Sequence, residues 1–267
     1  MATDDQQTIT RRVADAVSPA VVRIGRHGGR GCGVVVGEGL VLTNAHNLRD
    51  RTTLVTFADG RAVQSRATGV DADGDLTVLA VDTAGITPPE WSDDEPAEGM
   101  TVYAVAAIPG GRRVTKGAVS SVDRSFRGPR GRLVTGAIEH TAPLAQGTSG
   151  SPVVDDAGKI VGLTTLRLRD GFALAQPTGP DLRQRVDALA AGEEPRRRML
   201  GVGVAPASVA RRLRAAVGLP ERAGALVRGV AEDSPAARAG IAKGDLITAV
   251  GDAAIGDPGD LEAALAA

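Results

Sequence analysis

The chain has 267 residues, 42% of them apolar, which is enough for a full core and favours two domains of ordinary size over one large domain. A formal net charge of -1 excludes a global positive field that would draw the protein onto nucleic acid or anionic lipid. Cys32 is the only cysteine, which excludes internal disulfides and multi-cysteine metal sites.

The N-terminal segment contains a predicted helix. Ile9, Val13 and Val17 share one helical face, and Pro19 ends the pattern. Residues 1–12 are polar and carry no apolar stretch of signal-peptide length, and no apolar run in the chain approaches the roughly 20 residues of a membrane-spanning helix. As written, the chain is expected to be soluble, without an export signal, and therefore cytoplasmic.

Short valine-rich segments separated by glycine and turn residues follow, from Val21 to about Gln176. Many short strands at regular spacing indicate an all-β barrel or sandwich. The predicted strands are 21–24, 32–36, 40–43, 54–57, 76–81, 101–108, 114–122, 133–138 and 160–166.

A second helix is predicted after the strands. Residues 178–181 resemble a capping box, and Leu182, Val186 and Leu189 fall on one stripe. Residues 190–198 (AAGEEPRRR) are polar and charged, as is typical of a linker, and predict one domain over 1–196 and another over 197–267.

The second domain is predicted to be a small mixed α/β unit. Its helices are expected at 208–217, at 234–239 and from Pro258 onwards, and its strands at 225–230 and 245–250.

The first candidate for chemistry is His46, one of three histidines. It follows the apolar strand 40–43 at a corner of small residues, so a rigid backbone would hold the ring where a general base must lie. The other two, His27 in a Gly-Arg loop and His140 at a strand end, are interpreted as surface or core residues.

The second candidate is Ser149 in the string GTSGSP, residues 147–152. The flanking glycines permit a sharp turn that could aim the amides of Gly147 and Ser149 into one oxyanion hole. Taken alone, the string is equally typical of an ordinary glycine-serine turn.

The third candidate is Asp75, which enters an apolar strand where an unpaired carboxylate would be costly and a histidine N–H would be a suitable partner. Asp71 and Asp73 compete for this role. Both lie in the preceding polar turn and are interpreted as solvated loop acids.

These residues occur in the order His46, Asp75, Ser149, which is the chymotrypsin order; α/β-hydrolases run Ser, Asp, His and subtilisins run Asp, His, Ser. The strings TNAHN (43–47), DADGDLTVL (71–79) and GTSGSP (147–152) resemble TNAHV, D-x-x-x-DLAVL and GNSGGP of the HtrA/Deg branch of trypsin-like serine proteases. The later strings MLGV (199–202), GALV (224–227), DSPAARAGI (233–241) and GDLI (244–247) resemble segments of that family's PDZ domains.

The resemblance implies a mostly β protein, with a chymotrypsin-like double β-barrel followed by a small, truncated PDZ-like domain. It implies a serine endopeptidase that cleaves unfolded or misfolded polypeptides through an acyl-enzyme, with no cofactor and no metal. The PDZ-like domain would bind peptide C-termini, with the carboxylate received by amides of the loop formed by Leu200, Gly201 and Val202.

The resemblance also implies a substrate pocket. Its residues are Pro143, Leu144, Thr164, Thr165 and Leu166. Trypsin has an aspartate six residues before its nucleophile, and this chain has Pro143 there. We therefore expect a small or medium apolar side chain, such as Val, Ala or Leu, before the scissile bond.

Three departures from the family pattern bear on these expectations. Ser151 replaces a glycine, and Asn47 replaces an apolar residue and is treated as neutral. The resemblance implies a homotrimer built from aromatic side chains near the N-terminus, although this chain has no Phe, Tyr or Trp before Phe57. The family is commonly exported, which would place the protein in the cell envelope or outside the cell.

Two alternatives from other classes remain open. One is a catalytically inactive scaffold that binds C-termini through the PDZ-like domain, although no residue type of the triad is replaced. The other is nucleic-acid binding by Arg124, Arg127, Arg130 and Arg132. Because Phe126 is the only interleaved aromatic, this cluster is interpreted as a solvated loop, and no nucleic-acid partner is expected.

Overall fold

The computed structural model describes residues 2–26, 30–128, 133–195 and 200–266. It divides into two compact units, Met1–Pro195 and Arg196–Ala267. Within the described ranges, none of the helices is long and apolar enough to span a membrane.

The first unit contains two closed six-stranded barrels. After helix α1 (Ala2–Val17), the first barrel comprises β1 (Val21–Ile24), β2 (Gly31–Gly37), β3 (Leu40–Thr43), β4 (Thr52–Thr56), β5 (Ala62–Asp71) and β6 (Leu76–Ala80), in the order β1-β2-β3-β6-β5-β4. The second comprises β7 (Thr101–Ile108), β8 (Gly111–Arg127), β9 (Leu133–His140), β10 (Pro152–Val154), β11 (Ile160–Arg167) and β12 (Ala173–Pro177), in the order β10-β11-β12-β9-β8-β7. Helix α2 (Pro180–Ala190) follows.

Closing each six-stranded sheet into a barrel pairs the backbone groups of strands that would otherwise lie at an open edge. The valine-rich segments form these strands because β-branched side chains fit a pleated, half-buried surface. The prediction of a mostly β fold is therefore confirmed. Valine-rich segments do not predict β5, β10 or β12: β5 is mostly small or polar, β10 has only three residues and begins with proline, and β12 (ALAQP) contains no valine.

The two helices of the first unit bury the predicted faces. Val13 and Val17 of α1 and the stripe Leu182, Val186 and Leu189 of α2 belong to one hydrophobic cluster. The predicted capping box is wrong. Helix α2 begins after Gly179 without a side-chain cap, because the buried Thr178 hydroxyl instead donates to the Ile160 carbonyl at 3.0 Å.

The second unit is small and mixed. Its elements are β13 (Val202–Val204), α3 (Ala207–Ala216), β14 (Ala225–Val230), α4 (Pro235–Arg238), β15 (Leu246–Ile247), β16 (Ala249–Val250), β17 (Ala253–Ala254) and α5 (Pro258–Ala266). Strands β13, β14 and β15 form one sheet, and β16 pairs with β17. Ser234 caps α4, since its hydroxyl accepts a hydrogen bond from the Ala237 amide at 3.1 Å.

Candidate active site

The pairing of β3 with β6 brings His46 and Asp75 together. In this antiparallel pair Thr43 lies opposite Thr77, so the chain just after β3 faces the chain just before β6. His46 lies there in a short 3-10 turn. Its Nδ1 is 2.7 Å from Asp75 Oδ2, and its amide donates to Asp75 Oδ1 at 3.0 Å.

The backbone around Asp75 fixes the carboxylate in place. Asp75 is only 1% exposed and has a φ of 56°, a left-handed conformation that aspartate tolerates better than most residues. Its carbonyl accepts hydrogen bonds from Asn44 Nδ2 at 3.0 Å and from the Ala45 amide at 3.2 Å. The carboxylate requires a donor at His46 Nδ1, which leaves Nε2 as the nitrogen that can accept a proton.

Asp71 does not have the solvated loop position predicted for it. It is buried at the end of β5, where its Oδ2 accepts from Arg185 Nη2 at 2.7 Å and its Oδ1 accepts from the Gly74 amide at 2.7 Å. It is buried because Arg185 of α2 neutralises it. Of the competing aspartates, it is Asp75 that is bonded to His46.

Ser149 lies in a loop of the second barrel that is held by the first. The Ser149 carbonyl accepts hydrogen bonds from the Cys32 amide at 2.7 Å and from Asn47 Nδ2 at 2.9 Å. Gly150 has a φ of 88°, and a Cβ there would lie 2.1 Å from the Cys32 carbonyl oxygen, so only glycine permits this approach. The buried Ser151 hydroxyl donates to the Thr148 carbonyl at 2.6 Å and closes the loop.

Asn47 is a positioning residue that sequence reasoning missed. It is buried, and besides the Ser149 carbonyl its Nδ2 contacts Thr43 Oγ1 at 2.9 Å. Since Asn47 lies in the same turn as His46, one short segment holds both the imidazole and the serine loop. The available signal was a polar side chain, in place of an apolar one, directly after the candidate base.

The donors around Ser149 are unoccupied by protein groups. Among the described residues, the Ser149 hydroxyl makes no hydrogen bond, and the amides of Gly147 and Ser149 donate to no protein acceptor. The Ser149 Oγ and His46 Nε2 atoms are therefore not hydrogen-bonded in this conformation. Both residues are partly exposed, with His46 at 29%.

A pocket of about 250 Å³ adjoins Ser149 and is lined by residues 144–149, Thr164 and Arg167. Of the five predicted pocket residues, Leu144 and Thr164 line it. Pro143, Thr165 and Leu166 are not among its lining residues.

On β11, the observed pocket residues differ from the predicted ones because the strand contains a bulge. The pairing of β11 with β12 shifts register between Thr164 and Leu166, which is a bulge that re-aims the following side chains. Thr165 is buried, and its hydroxyl accepts from Asn44 Nδ2 at 3.2 Å. Arg167, which the sequence did not single out, thus joins Thr164 at the pocket.

The remaining histidines and arginines fall elsewhere. His140 is fully buried in β9, and burial lowers its pKa to about 4. Arg124 and Arg127 lie within β8 rather than in a loop, and Arg124 Nη2 is 3.3 Å from Glu139 Oε2. His27, Arg130 and Arg132 lie outside the described residues.

In the second unit, Leu200, Gly201 and Val202 lead into β13. The carbonyls of Leu200 and Gly201 accept from the amides of Ala236 and Ala231, each at 2.8 Å. Gly201 has a φ of 78°, and its own amide and that of Leu200 donate to no protein group in the described part of the chain. Leu200 and Val202 pack against the cluster that contains Leu261 of α5.

Two family models match the chain. Residues 31–163 match the trypsin-like peptidase domain, and residues 226–267 match a PDZ domain. A "Probable periplasmic serine endoprotease DegP-like" of Brucella suis is 33% identical over 244 residues, covering 87% of this chain and 46% of that protein. "Serine protease Do-like HtrA" of Lactobacillus helveticus is 30% identical, covering 88% of this chain and 62% of that protein.

"Serine protease HTRA2, mitochondrial" of Bos taurus is also 30% identical, over 93% of this chain and 60% of that protein. The chain thus spans 46% to 62% of the length of these relatives. Among solved structures, "HtrA-type protease AlgW with decapeptide" superposes with a TM-score of 0.74 at 24% identity, covering 96% of this chain and 90% of that chain. The serine endoprotease from Yersinia pestis gives 0.69 at 24% identity, covering 96% and 88% of the two chains.

Proposed function

The chain belongs to the HtrA-type serine proteases, and on that premise we propose that it is a serine endopeptidase that hydrolyses unfolded or misfolded polypeptides. The observation that carries the proposal is the contact of 2.7 Å between His46 Nδ1 and the buried Asp75 carboxylate, beside a serine loop tied to the next residue, Asn47. Asp75 orients the imidazole, His46 is the general base, and Ser149 is the nucleophile.

The chemistry follows from these roles. In the reacting conformation Ser149 Oγ donates to His46 Nε2, which takes the hydroxyl proton as Oγ attacks the peptide carbonyl carbon. The imidazolium then gives that proton to the leaving amine, and an ester to Ser149 remains. Water, deprotonated by His46, hydrolyses the ester and restores the hydroxyl.

The negative charge of the tetrahedral intermediate requires fixed donors. We assign the oxyanion hole to the amides of Gly147 and Ser149, which are free of protein acceptors in the described part of the chain. Loss of one such donor typically raises the barrier by about 2.7 to 4 kcal/mol.

The deciding experiment compares the wild-type chain with Ser149→Ala. We expect the wild type to degrade unfolded casein and to be labelled by a fluorophosphonate, and the variant to lose labelling and about 10⁶-fold in kcat. Ser125→Ala is the matched control, because Ser125 is an exposed serine of β8 outside the serine loop, and this variant should keep both labelling and degradation. Equal degradation by wild type and Ser149→Ala would rule out the assignment as a serine endopeptidase. The alternative of an inactive scaffold, which no observation otherwise favours, would then remain.

For the second unit we propose recognition of peptide C-termini by the loop of Leu200, Gly201 and Val202. The amides of Leu200 and Gly201, unused by protein groups in the described ranges, support it as carboxylate donors, and the apolar side chains beside them support a hydrophobic terminal residue. The homotrimer stays a prediction. The relatives named periplasmic support an envelope location over the cytoplasmic one expected from the sequence.

A further inference from the structure

The pocket beside Ser149 is lined by a buried hydroxyl and an exposed guanidinium that no protein group bonds in the described part of the chain. Thr164 is only 2% exposed, yet its hydroxyl has no hydrogen-bond partner among the described residues. Arg167 is exposed at the same pocket, and its guanidinium forms no ion pair or hydrogen bond within the described part of the chain. A buried hydroxyl without a partner is costly, by about 1 to 3 kcal/mol, unless a ligand satisfies it.

The backbone of Thr164 fixes this side of the pocket relative to the nucleophile. Its carbonyl accepts from the Gly150 amide at 2.7 Å, and its amide donates to the Ser151 carbonyl at 2.9 Å. Two hydrogen bonds therefore join β11 to the residues directly after Ser149. The bulge in β11 then directs Arg167 to the same pocket as Thr164.

We take the side chain preceding the scissile bond as the one that would enter this pocket. Its Cβ is two bonds from the carbonyl carbon that Ser149 attacks, and residues 144–149 both carry the nucleophile and line the pocket. Because this step uses the acyl-transfer chemistry above, the inference rests on the proposed function.

We propose that the pocket selects an acidic side chain, glutamate above all. Arg167 would donate to the carboxylate as a charge-assisted hydrogen bond, the Thr164 hydroxyl would donate to the same group, and Leu144 and Ala145 would contact the methylene stem. The apolar side chain expected from the sequence would leave the Thr164 hydroxyl unsatisfied and the guanidinium unpaired.

The test uses C-terminally amidated peptides that differ only before the scissile bond, with the near-isosteric series Glu, Gln and Met. We expect kcat/KM for Glu to exceed that for Gln roughly fivefold, because the Arg167 contact is exposed to solvent, and Gln to exceed Met about tenfold. Arg167→Gln should bring Glu and Gln together. Thr164→Val should bring Gln and Met together while it preserves the preference for Glu over Gln.

Arg169→Gln is the matched control, because Arg169 is an exposed arginine on the following turn and does not line the pocket. It should leave all ratios unchanged. A wild type that cleaves after Met, Val or Ala at least as well as after Glu, or an Arg167→Gln variant that retains the preference for Glu, would overturn the proposal and leave the proteolytic function intact.

Binding of the same peptides to the Ser149→Ala variant separates the two proposals. A fivefold preference for Glu that disappears with Arg167→Gln supports the acidic pocket even if the wild type hydrolyses no peptide. Equal binding of Glu, Gln and Met peptides contradicts it. The peptides are amidated because a free C-terminal carboxylate could bind the second unit and contribute to the measured affinity.

Discussion

At the residue scale, two aspartates separated by a short turn have different tasks. Asp75 holds a left-handed backbone and bonds twice to His46, whereas Asp71 neutralises Arg185. Both carboxylates are buried, and each has the donors that burial requires. The aspartate that orients His46 is therefore identified by its hydrogen-bond partner. Solvent exposure does not distinguish the two aspartates, because both are buried.

His140 predicts a stability change with pH. Burial lowers its pKa from 6.5 to about 4, so between those values the unfolded chain binds more protons than the folded chain. The contribution of neutral His140 to the free energy of unfolding is fully present above pH 6.5. It falls as the pH drops towards 4, by roughly 3 kcal/mol in all, at 1.36 kcal/mol per pH unit.

The measurement is urea unfolding at pH 7.5 and 4.5, followed by fluorescence of the single tryptophan, Trp91, which reports on the first unit. His140→Leu removes the titrating group and should reduce the loss of stability between the two pH values by roughly that amount. An unchanged pH dependence in the variant would show that His140 does not couple folding to protons.

Sequence patterns located some side chains of the site better than others. His46 and Asp75 could be predicted because each adjoins an apolar strand, and strands are what the pattern reports. Arg167 could not, because the pocket residues were taken from the family resemblance, and a resemblance does not report the β11 bulge between Thr164 and Leu166 that re-aims the following side chains. Asn47 could not either, since its role depends on a carbonyl about a hundred residues away in sequence.

At the element scale, helix α2 supports the turn that carries Asp75. Arg185 Nη2 contacts the Asp71 carboxylate at 2.7 Å and the Gly74 carbonyl at 3.4 Å. Gln176 of β12 donates to the same Gly74 carbonyl at 2.9 Å. The turn between β5 and β6 is thus held from both sides, by a helix and by the second barrel.

Arg185→Met should therefore act on stability and on catalysis together. It leaves the Asp71 carboxylate buried without its cation, which we expect to cost about 2 to 3 kcal/mol of unfolding free energy, and it should lower kcat at least tenfold through Asp75. Adding Asp71→Asn should recover most of the stability.

Arg51→Met is the matched control, because its ion pair with Glu194 is exposed on both sides and is worth at most about 1 kcal/mol. Denaturant unfolding and peptide hydrolysis measure the two effects. If Arg185→Met and Arg51→Met behave alike, the turn does not depend on α2.

At the scale of the whole molecule, hydrolysis and C-terminal recognition are assigned to different compact units. Peptide binding to the second unit should therefore persist in Ser149→Ala. We expect a peptide with a free C-terminal carboxylate to bind at least tenfold more tightly than its amide, because loop amides bind only the charged terminus strongly. Fluorescence anisotropy measures the affinity of each peptide. Equal affinities for the acid and the amide would argue against the loop of Leu200, Gly201 and Val202 as the binding site for the terminal carboxylate.

The anchoring of the Ser149 carbonyl by Cys32 and Asn47 has a consequence for biosynthesis. The first barrel, which is synthesised first, carries His46 and Asp75 but not Ser149, and the turn before Asp75 is completed only by Gln176 and Arg185. Ser149 is synthesised later, and the loop that carries it can dock only onto a folded first barrel, which supplies the Cys32 and Asn47 donors. Under the proposed function, we therefore expect a nascent or partly unfolded molecule to be inactive, because the three triad side chains come together only when both barrels are folded.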